Sequence, residues 1–336
     1  MKVVFKFMLG GFVVLSTIIV LVACGASWWA YEEFHKAGPL SEPLTFVVPR
    51  GANIGGVADS LKYHGAINAP VLFIYGGKAL GQDSKIKAGE YEIPAQLSMR
   101  NILDLLVSGK TVQRQVTVRE GLTSYEIANL LSEVDTLEQV DLEIPPEGSL
   151  LAETYSYSKG ENTGDIVKRM TEAMTATIDE LWEGRMPNLP LETKEEAIIL
   201  ASIVEKETAV ASERKKVAGV FINRLKKGML LQTDPTVIYA LTEGKPKNDG
   251  KGPLGRRLLF KDLEVDSPYN TYKYPGLPPT PIANPGRAAI EAVLNPETHE
   301  YIYFVADGSG GHAFAKTLAQ HNQNVAKWRR IRRSKN

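Results

Sequence analysis

The sequence predicts an α+β protein in three parts: a single N-terminal transmembrane helix, a small domain of strand, helix, helix, strand order, and a larger mixed α/β domain. Three observations predict it. The run from Phe7 to Tyr31 contains no charged residue and is long enough to cross ~30 Å of hydrocarbon as a helix. Residues 44–110 place two helical periodicities between two strand-like segments, and residues 111–334 intersperse long helical periodicities with short strands. At 336 residues the chain also exceeds the ~250 to 300 residues at which single cores stop growing.

At the N-terminus, Lys2 and Lys6 precede the apolar run and Trp28, Trp29 and Tyr31 close it. Basic residues inside and an aromatic belt outside predict a cytoplasmic stub over 1–6, a single-pass anchor over 7–31, and an extracytoplasmic remainder. The competing reading is a cleaved signal peptide in which "LVACG" serves as a lipobox and Cys24 carries the lipid. The run continues past Cys24 and outlasts an h-region of ~7 to 15 residues, which favours the anchor. Cys24 is the only cysteine, so neither an intrachain disulfide nor a cysteine-based zinc site is available. Formal net charge is zero, with both signs mixed along the chain, which leaves no electrostatic footprint for nucleic acid.

Beyond the linker "HKAGPLSEP", "LTFVV" reads as a strand and Pro49-Arg50-Gly51 as a turn. Asn53 is placed to cap a helix whose Ile54, Val57, Ala58 and Leu61 share a face and which stops at Gly65. A second helix is expected over 70–78, "AGEYEIP" returns as a strand, and "SMRNILDLLVSGK" forms a helix facing inward through Ile102, Leu105 and Leu106. The order over 44–110 resembles a LysM-type glycan-binding module, with a plain structural α+β unit as the alternative. Residues 46–61 also align without gaps against 116–131, matching Val48 to Val118, Gly51 to Gly121, Ala58 to Ala128 and Leu61 to Leu131.

Residues 135–165 are turn-rich and read as an irregular connector with short strands. Periodicity predicts helices over 163–183 and 192–209, the second opened by Thr193 and Glu196 as a capping box. The next helix presents Val217, Val220, Phe221 and Leu225 and stops at Gly228. In "QTDPTVIYALTEG", Asp234 is expected to cap and Pro235 to occupy the first turn. Residues 266–286 hold too much Pro and Gly for regular structure and suit the wall of a cleft. "EYIYFVAD" is the clearest late strand, followed by a Gly-rich turn and a basic C-terminal helix.

The stretch "ASIVEKETAV" places two glutamates on an otherwise apolar helix. Glu207 lies roughly 50° from the centre of the apolar stripe and Glu205 about 110° from it. Glu207 therefore meets the condition for a desolvated carboxyl with a raised pKa, suited to general acid work near neutral pH, whereas Glu205 points elsewhere, toward a basic partner. The plain alternative is a solvated charge. No HExxH or other close metal-ligand spacing, Gly-x-Ser-x-Gly elbow, phosphate loop or dinucleotide fingerprint occurs, so neither a metal nor a cofactor is expected. What surrounds the glutamates in sequence is Gln232, Thr233, Asp234, Tyr239, Tyr269, Asn270, Thr271 and Tyr272, which suit sugar hydroxyls and acetamido groups, or are simply turn and cap residues.

"ASIVEKETAVASERKKVAGVFINRLKKGMLLQTDPTVIYAL", "SPYNTYKYPGLPPTPIANPG" and "YFVADGSGGHAFAKTLAQHN" resemble the YceG-like endolytic murein transglycosylases, over nearly the whole chain. The resemblance implies an enzyme on the outer, periplasmic face of the inner membrane that cuts nascent glycan strands between N-acetylmuramic acid and N-acetylglucosamine, near peptidoglycan synthases of the penicillin-binding type. It implies a catalytic domain over 111–334 whose acid is the glutamate followed by Thr, here Glu207-Thr208. Glu205, Thr208, Gln232, Asp234, Tyr239, Tyr269 and Asn270 become candidates for positioning substrate, with His312 behind them. "PPEGSLLAETY" departs from the family pattern, which has proline where Ala152 stands. Two other readings remain: a non-catalytic peptidoglycan-binding or divisome scaffold, and a muramidase that uses water with Glu205 or Asp234 as second carboxylate.

Overall fold

The computed structural model describes residues 2–247 and 252–335. Met1 of the expected stub and residues 248–251 of the larger domain lie outside the described residues. The apolar run forms α1 (Lys2–His35), one unbroken helix whose stretch Val14–His35 is long and apolar enough to cross a membrane. Phe12, Val14, Leu15, Ile18, Ile19 and Val20 on it are exposed, as a lipid-facing helix requires.

Contacts divide the chain into two units. The first holds residues 1–114 and 158–160. In it β1 (Leu44–Val48) pairs antiparallel with β2 (Gly89–Ile93), Phe46 opposite Tyr91, and α2 (Ile54–Tyr63), α3 (Pro70–Ala79) and α4 (Met99–Ser108) complete the core. Local signals set these elements: Asn53 accepts a hydrogen bond from Gly56 N at 2.9 Å, Ser98 accepts from Asn101 N, and Gly109 ends α4 at φ +74. The inward face of α4 is Met99, Ile102, Leu103 and Leu106, so Leu103 takes the core place expected of Leu105; i, i+3, i+4, i+7 is the stripe that one helix face presents. Phe34 at the end of α1 is 7% exposed and packs into this core.

The second unit holds residues 115–157 and 161–336. β3 (Arg114–Thr117) pairs with β4 (Thr154–Tyr157), and with α5 (Ser124–Ser132) and the start of α6 (Thr163–Glu183) they enclose Val118, Ile127, Leu131, Leu150 and Ile166. The main core lies among α6, α7 (Lys194–Glu207), α8 (Arg214–Lys226) and α10 (Arg287–Leu294). Ala201, Ala218, Ala289 and Ala292 are buried in it, small enough to let helices approach closely. The periodicity did not single out α10. A hairpin of β5 (Tyr303–Ala306) and β6 (His312–Ala315), Phe304 opposite Phe314, precedes α11 (Leu318–Lys335). Sequence reading assigned β6 to no element, because four residues after a Gly-rich tip carry too little alternation to stand out.

α7 is buried on nearly every side: Ala197, Ile199, Leu200, Ala201, Ser202, Ile203 and Val204 are all covered. It is therefore a central helix rather than an amphipathic surface one. Thr193 caps it by accepting from Glu196 N at 3.1 Å, but the Glu196 carboxyl turns to Glu192 N, so only half of the expected capping box forms. Ser202 Oγ accepts from Ile282 N at 3.0 Å, and Asn284, fully buried, accepts from Leu150 N and donates to Leu122 O and Ser124 Oγ. These bonds hold the irregular 266–286 segment against α7, which carries both glutamates, and against the start of α5.

Candidate active site

Glu207 is the last residue of α7, and Thr208 leaves the helix in extended conformation. The C-terminal end of a helix, with its free carbonyls, is an unfavourable place for a negative charge. Protein atoms surround the carboxyl closely while one side opens on a cleft of about 510 Å³ lined by Glu207, Arg224, Gln232, Asp234, Tyr272 and Tyr303, among others. Desolvation raises the Glu207 pKa above the ordinary carboxylate range, and the Asp234 charge adds to the rise. The Thr233 hydroxyl, His312 and Arg224 pull the other way.

Thr233 is the nearest partner: its hydroxyl donates to Glu207 Oε1. It is also the N-cap of α9 (Asp234–Thr242), so Asp234 stands one residue inside the helix rather than at the cap, and Pro235 follows. The hydroxyl that would cap the helix is engaged by the glutamate instead. Thr233 is fixed from behind: its N–H donates to Thr271 Oγ1 at 3.1 Å, and its carbonyl accepts from the Thr236 hydroxyl at 2.8 Å. Because Thr236 uses its one proton there, the 2.8 Å contact between the Thr236 and Thr271 hydroxyls has Thr271 as donor. Three threonines thus set a single hydrogen bond to the carboxyl.

Arg224 on α8 forms the opposite wall. Its guanidinium donates to Ile302 O at 2.7 Å and Leu231 O at 2.8 Å and lies 5.4 Å from the Tyr303 ring centroid. Burial lowers its pKa, without removing its charge near neutrality. Tyr303 in turn stacks on His321 of α11 at 5.1 Å; His321 also lines the cleft, its Nδ1 is buried without a partner, and burial pushes its pKa down. Sequence reasoning missed Arg224, Tyr303 and His321; each sits in a segment with other charged or aromatic residues, so nothing local distinguished it.

The candidate residues other than Glu205 fall into three groups. Gln232 and Asp234 line the cleft beside Glu207, and Tyr272, which donates to Asp234 Oδ1 at 2.6 Å, joins them. Thr208, His312 and Asn270 stand behind. Thr208 is 3% exposed and its hydroxyl accepts from Val210 N at 3.1 Å. His312 Nδ1 meets Glu213 Oε2 at 2.7 Å. Asn270 is fully buried, donates to Leu263 O and Val265 O, and accepts from Tyr272 N. Tyr239 and Tyr269 line a separate pocket.

Glu205 belongs to a different cluster. It accepts from Gly286 N at 3.1 Å and lies 3.7 Å from Arg214, which also approaches Glu120 at 3.7 Å. The side chain is only 6% exposed, covered more completely than an outward helical position suggests, and burial raises its pKa, with Glu120 adding to the rise. Glu147, unremarked in the sequence, accepts from Ser124 N at 3.0 Å and from the Asn284 amide, and burial pushes its pKa up to about 7. Among the described residues, no group of three or more His, Cys, Asp or Glu side chains is placed to hold a metal ion.

This geometry coincides with a sequence match: the profile of the YceG-like family covers residues 46–327. The chain belongs to the YceG-like family. Among YceG-like relatives, the protein of Bacillus subtilis named endolytic murein transglycosylase is 34% identical over 313 residues, spanning 84% of this chain and 83% of its own. A Streptococcus pneumoniae (strain D39) protein of the same name is 28% identical over 84% of this chain, which spans 58% of the streptococcal length. The solved structure of a YceG-like protein from Listeria monocytogenes is 33% identical, covers 84% of this chain and 98% of its own, and superposes with a TM-score of 0.50.

Proposed function

We propose that this YceG-like protein is an endolytic murein transglycosylase that cleaves the β-1,4 bond between N-acetylmuramic acid and N-acetylglucosamine and leaves a 1,6-anhydro end. The observation that carries the reading is one carboxyl, Glu207, held at the end of a buried helix with a raised pKa and opening on a polar and aromatic cleft. Kinship with proteins named for this activity supports it.

In this mechanism protonated Glu207 gives its proton to the glycosidic oxygen as the bond from that oxygen to C1 of the muramic acid breaks. The acetamido oxygen of the same sugar stabilises the cation at C1, an exception to the two-carboxylate rule. The Glu207 carboxylate then takes the proton of the C6 hydroxyl, whose oxygen bonds to C1. Glu207 ends protonated, and no water is consumed. Thr233 holds the carboxyl in one rotamer throughout, and Arg224 stabilises its ionised form after the first step. Gln232 and Asp234 position the sugars, Asp234 oriented by Tyr272; Asn270 acts only through Tyr272, while Thr208 and His312 support the loop and the hairpin. Glu205 is a structural carboxylate that ties α7 to the 284–286 turn through Gly286 N.

Residues 7–31 anchor the chain in the inner membrane, with the stub over 1–6 inside and the catalytic domain over 111–334 in the periplasm. The lysines before the run and the tryptophans after it support that orientation. Residues 44–110, with strand order β1, α2, α3, β2, serve as a LysM-like glycan-binding domain, and peptidoglycan synthases supply the nascent strands.

The test is mass spectrometry of products released from uncrosslinked glycan strands by the full chain in detergent, beside Glu207→Gln. Anhydro ends from the parent, and a rate lower by ~10² to 10⁴ in the variant, are expected. Reducing ends would instead establish a water-using muramidase, and equal activity of the variant would remove Glu207 from the chemistry.

A further inference from the structure

The second pocket, about 300 Å³, is lined by Tyr239, Ala240, Glu243, Ser267, Pro268 and Tyr269. Among the described residues, none lines both it and the Glu207 cleft. The two lie along one seam. The 266–272 segment runs beside α9 in the opposite direction: Tyr272 meets Asp234, Thr271 meets Thr236, and Tyr269 meets Tyr239. From Asp234 to Glu243 the helix rises about 13 Å, more than one sugar ring spans and within reach of a short strand.

The ends of this seam are built at some conformational cost. Among the described residues, four that are not glycine have positive φ, and two of them flank α9: Gln232 at φ +49 and Glu243 at φ +50. Glycine adopts this conformation without the Cβ clash, yet each position carries a long polar side chain, and each lines one of the two pockets. The Glu243 end is held firmly. Thr123 Oγ1 donates to Gly244 O at 2.7 Å, and Gly244, at φ +74, leaves room for Glu147 Oε1 where a Cβ would come within 2.8 Å. The tyrosine rings lie 4.9 Å apart, Tyr269 fixed by a 2.7 Å bond between its hydroxyl and Thr280, and the Tyr239 hydroxyl has no protein partner among the described residues.

We propose that this pocket is a distal sugar-binding subsite, in which Tyr239 and Tyr269 offer aromatic surface to a sugar ring and Glu243, Ser267 and the free Tyr239 hydroxyl take its polar groups. The identity of the ligand rests on the functional reading above. Aromatic surface with a few convergent polar groups is the chemistry of an uncharged sugar site. One strand filling both pockets gains from linkage, because the second contact forms at high effective concentration. Affinity then rises with strand length, which favours binding within a long strand over binding of a short fragment.

The experiment measures Kd for labelled, uncrosslinked glycan strands of graded length on the full chain in detergent, in the Glu207→Gln background so that cutting is slow against binding. The expected result is a step of at least about tenfold in affinity once strands span both pockets. Tyr239→Ala with Tyr269→Ala brings the ratio of long-strand to short-strand affinity close to one, and Tyr239→Phe with Tyr269→Phe keeps most of it. Glu243→Gly reduces the step while relieving the backbone, so a folding defect cannot imitate the result. Absence of any step, or a step of equal size in the alanine and glycine variants, overturns the proposal, as does failure of all lengths to bind. Cleavage of the same strands by the unmodified chain is read separately. A tyrosine-dependent step without cleavage keeps the subsite and removes the transglycosylase reading, whereas cleavage without a step removes the subsite alone.

Discussion

At the scale of single residues, the site depends on how each proton is placed. Thr233 donates to Glu207 and so favours its ionised form, lowering a pKa that desolvation raises. Thr233→Val keeps the shape of the side chain and removes that donor. The Glu207 pKa then rises further, and because the acid must be protonated to act, the alkaline limb of kcat/KM against pH should move to higher pH while kcat falls. An unmoved limb would mean that Glu207 does not set it. Glu147 makes the same point for stability. It titrates near 7 rather than 4.5, so the folded chain binds this proton more tightly than the unfolded one. That contribution, roughly 3 kcal/mol, is fully present below pH 4.5 and is lost as pH rises through 7. Glu147→Gln, which cannot titrate, should flatten the fall in urea-unfolding free energy between pH 4.5 and 8; an unchanged slope would refute the assignment.

At the scale of elements, the order of local signals was largely readable. Gly51 and Gly121, matched in the internal alignment, both adopt φ +78, and the residues two positions on, Asn53 and Thr123, both cap helices through their side chains. Val48 and Val118, and Leu61 and Leu131, are buried in the same roles. A strand, a left-handed glycine and a capped helix recur because each step is decided within a few residues. Two side chains hold α7 to the 266–286 segment, Glu205 at Gly286 N and Ser202 at Ile282 N, and neither was readable, since each partner lies about 80 residues away. Ser202→Ala leaves that buried N–H unpaired and should lower the unfolding free energy by about 1 to 3 kcal/mol in denaturant titration. A change below a few tenths would show that the turn relaxes to another partner.

For the whole molecule, α1 divides into an exposed apolar length and a final turn that belongs to the first unit's core. Phe34 lies against Gly76, where an added Cβ would come within 2.5 Å of the ring. A soluble chain beginning at Glu32 should therefore retain full unfolding free energy without detergent, whereas one beginning at His35 loses a buried phenylalanine and should be destabilised by about 3 to 5 kcal/mol, seen in thermal or urea unfolding. Equal stability of the two would show that the core closes over the gap. The full chain should sediment with membranes and the Glu32 form should not.

The sequence by itself determined what is settled over one or two turns of chain: the apolar span, helix limits such as 163–183, the kinship, and the placing of Glu207 near the apolar face of its helix. Those features follow from hydrophobic periodicity and capping, which act between near neighbours. Only the tertiary structure decided that Glu205 is buried as well, that Thr233 turns from capping α9 to holding Glu207 across 26 residues, and that Asn270 lies behind the wall. It also decided that Gln232 and Asp234 share the Glu207 cleft while Tyr239 and Tyr269 line another pocket. The physical reason is that periodicity gives a side chain's direction around its own helix, while its burial, its partner and its pKa depend on which distant segment packs over that direction.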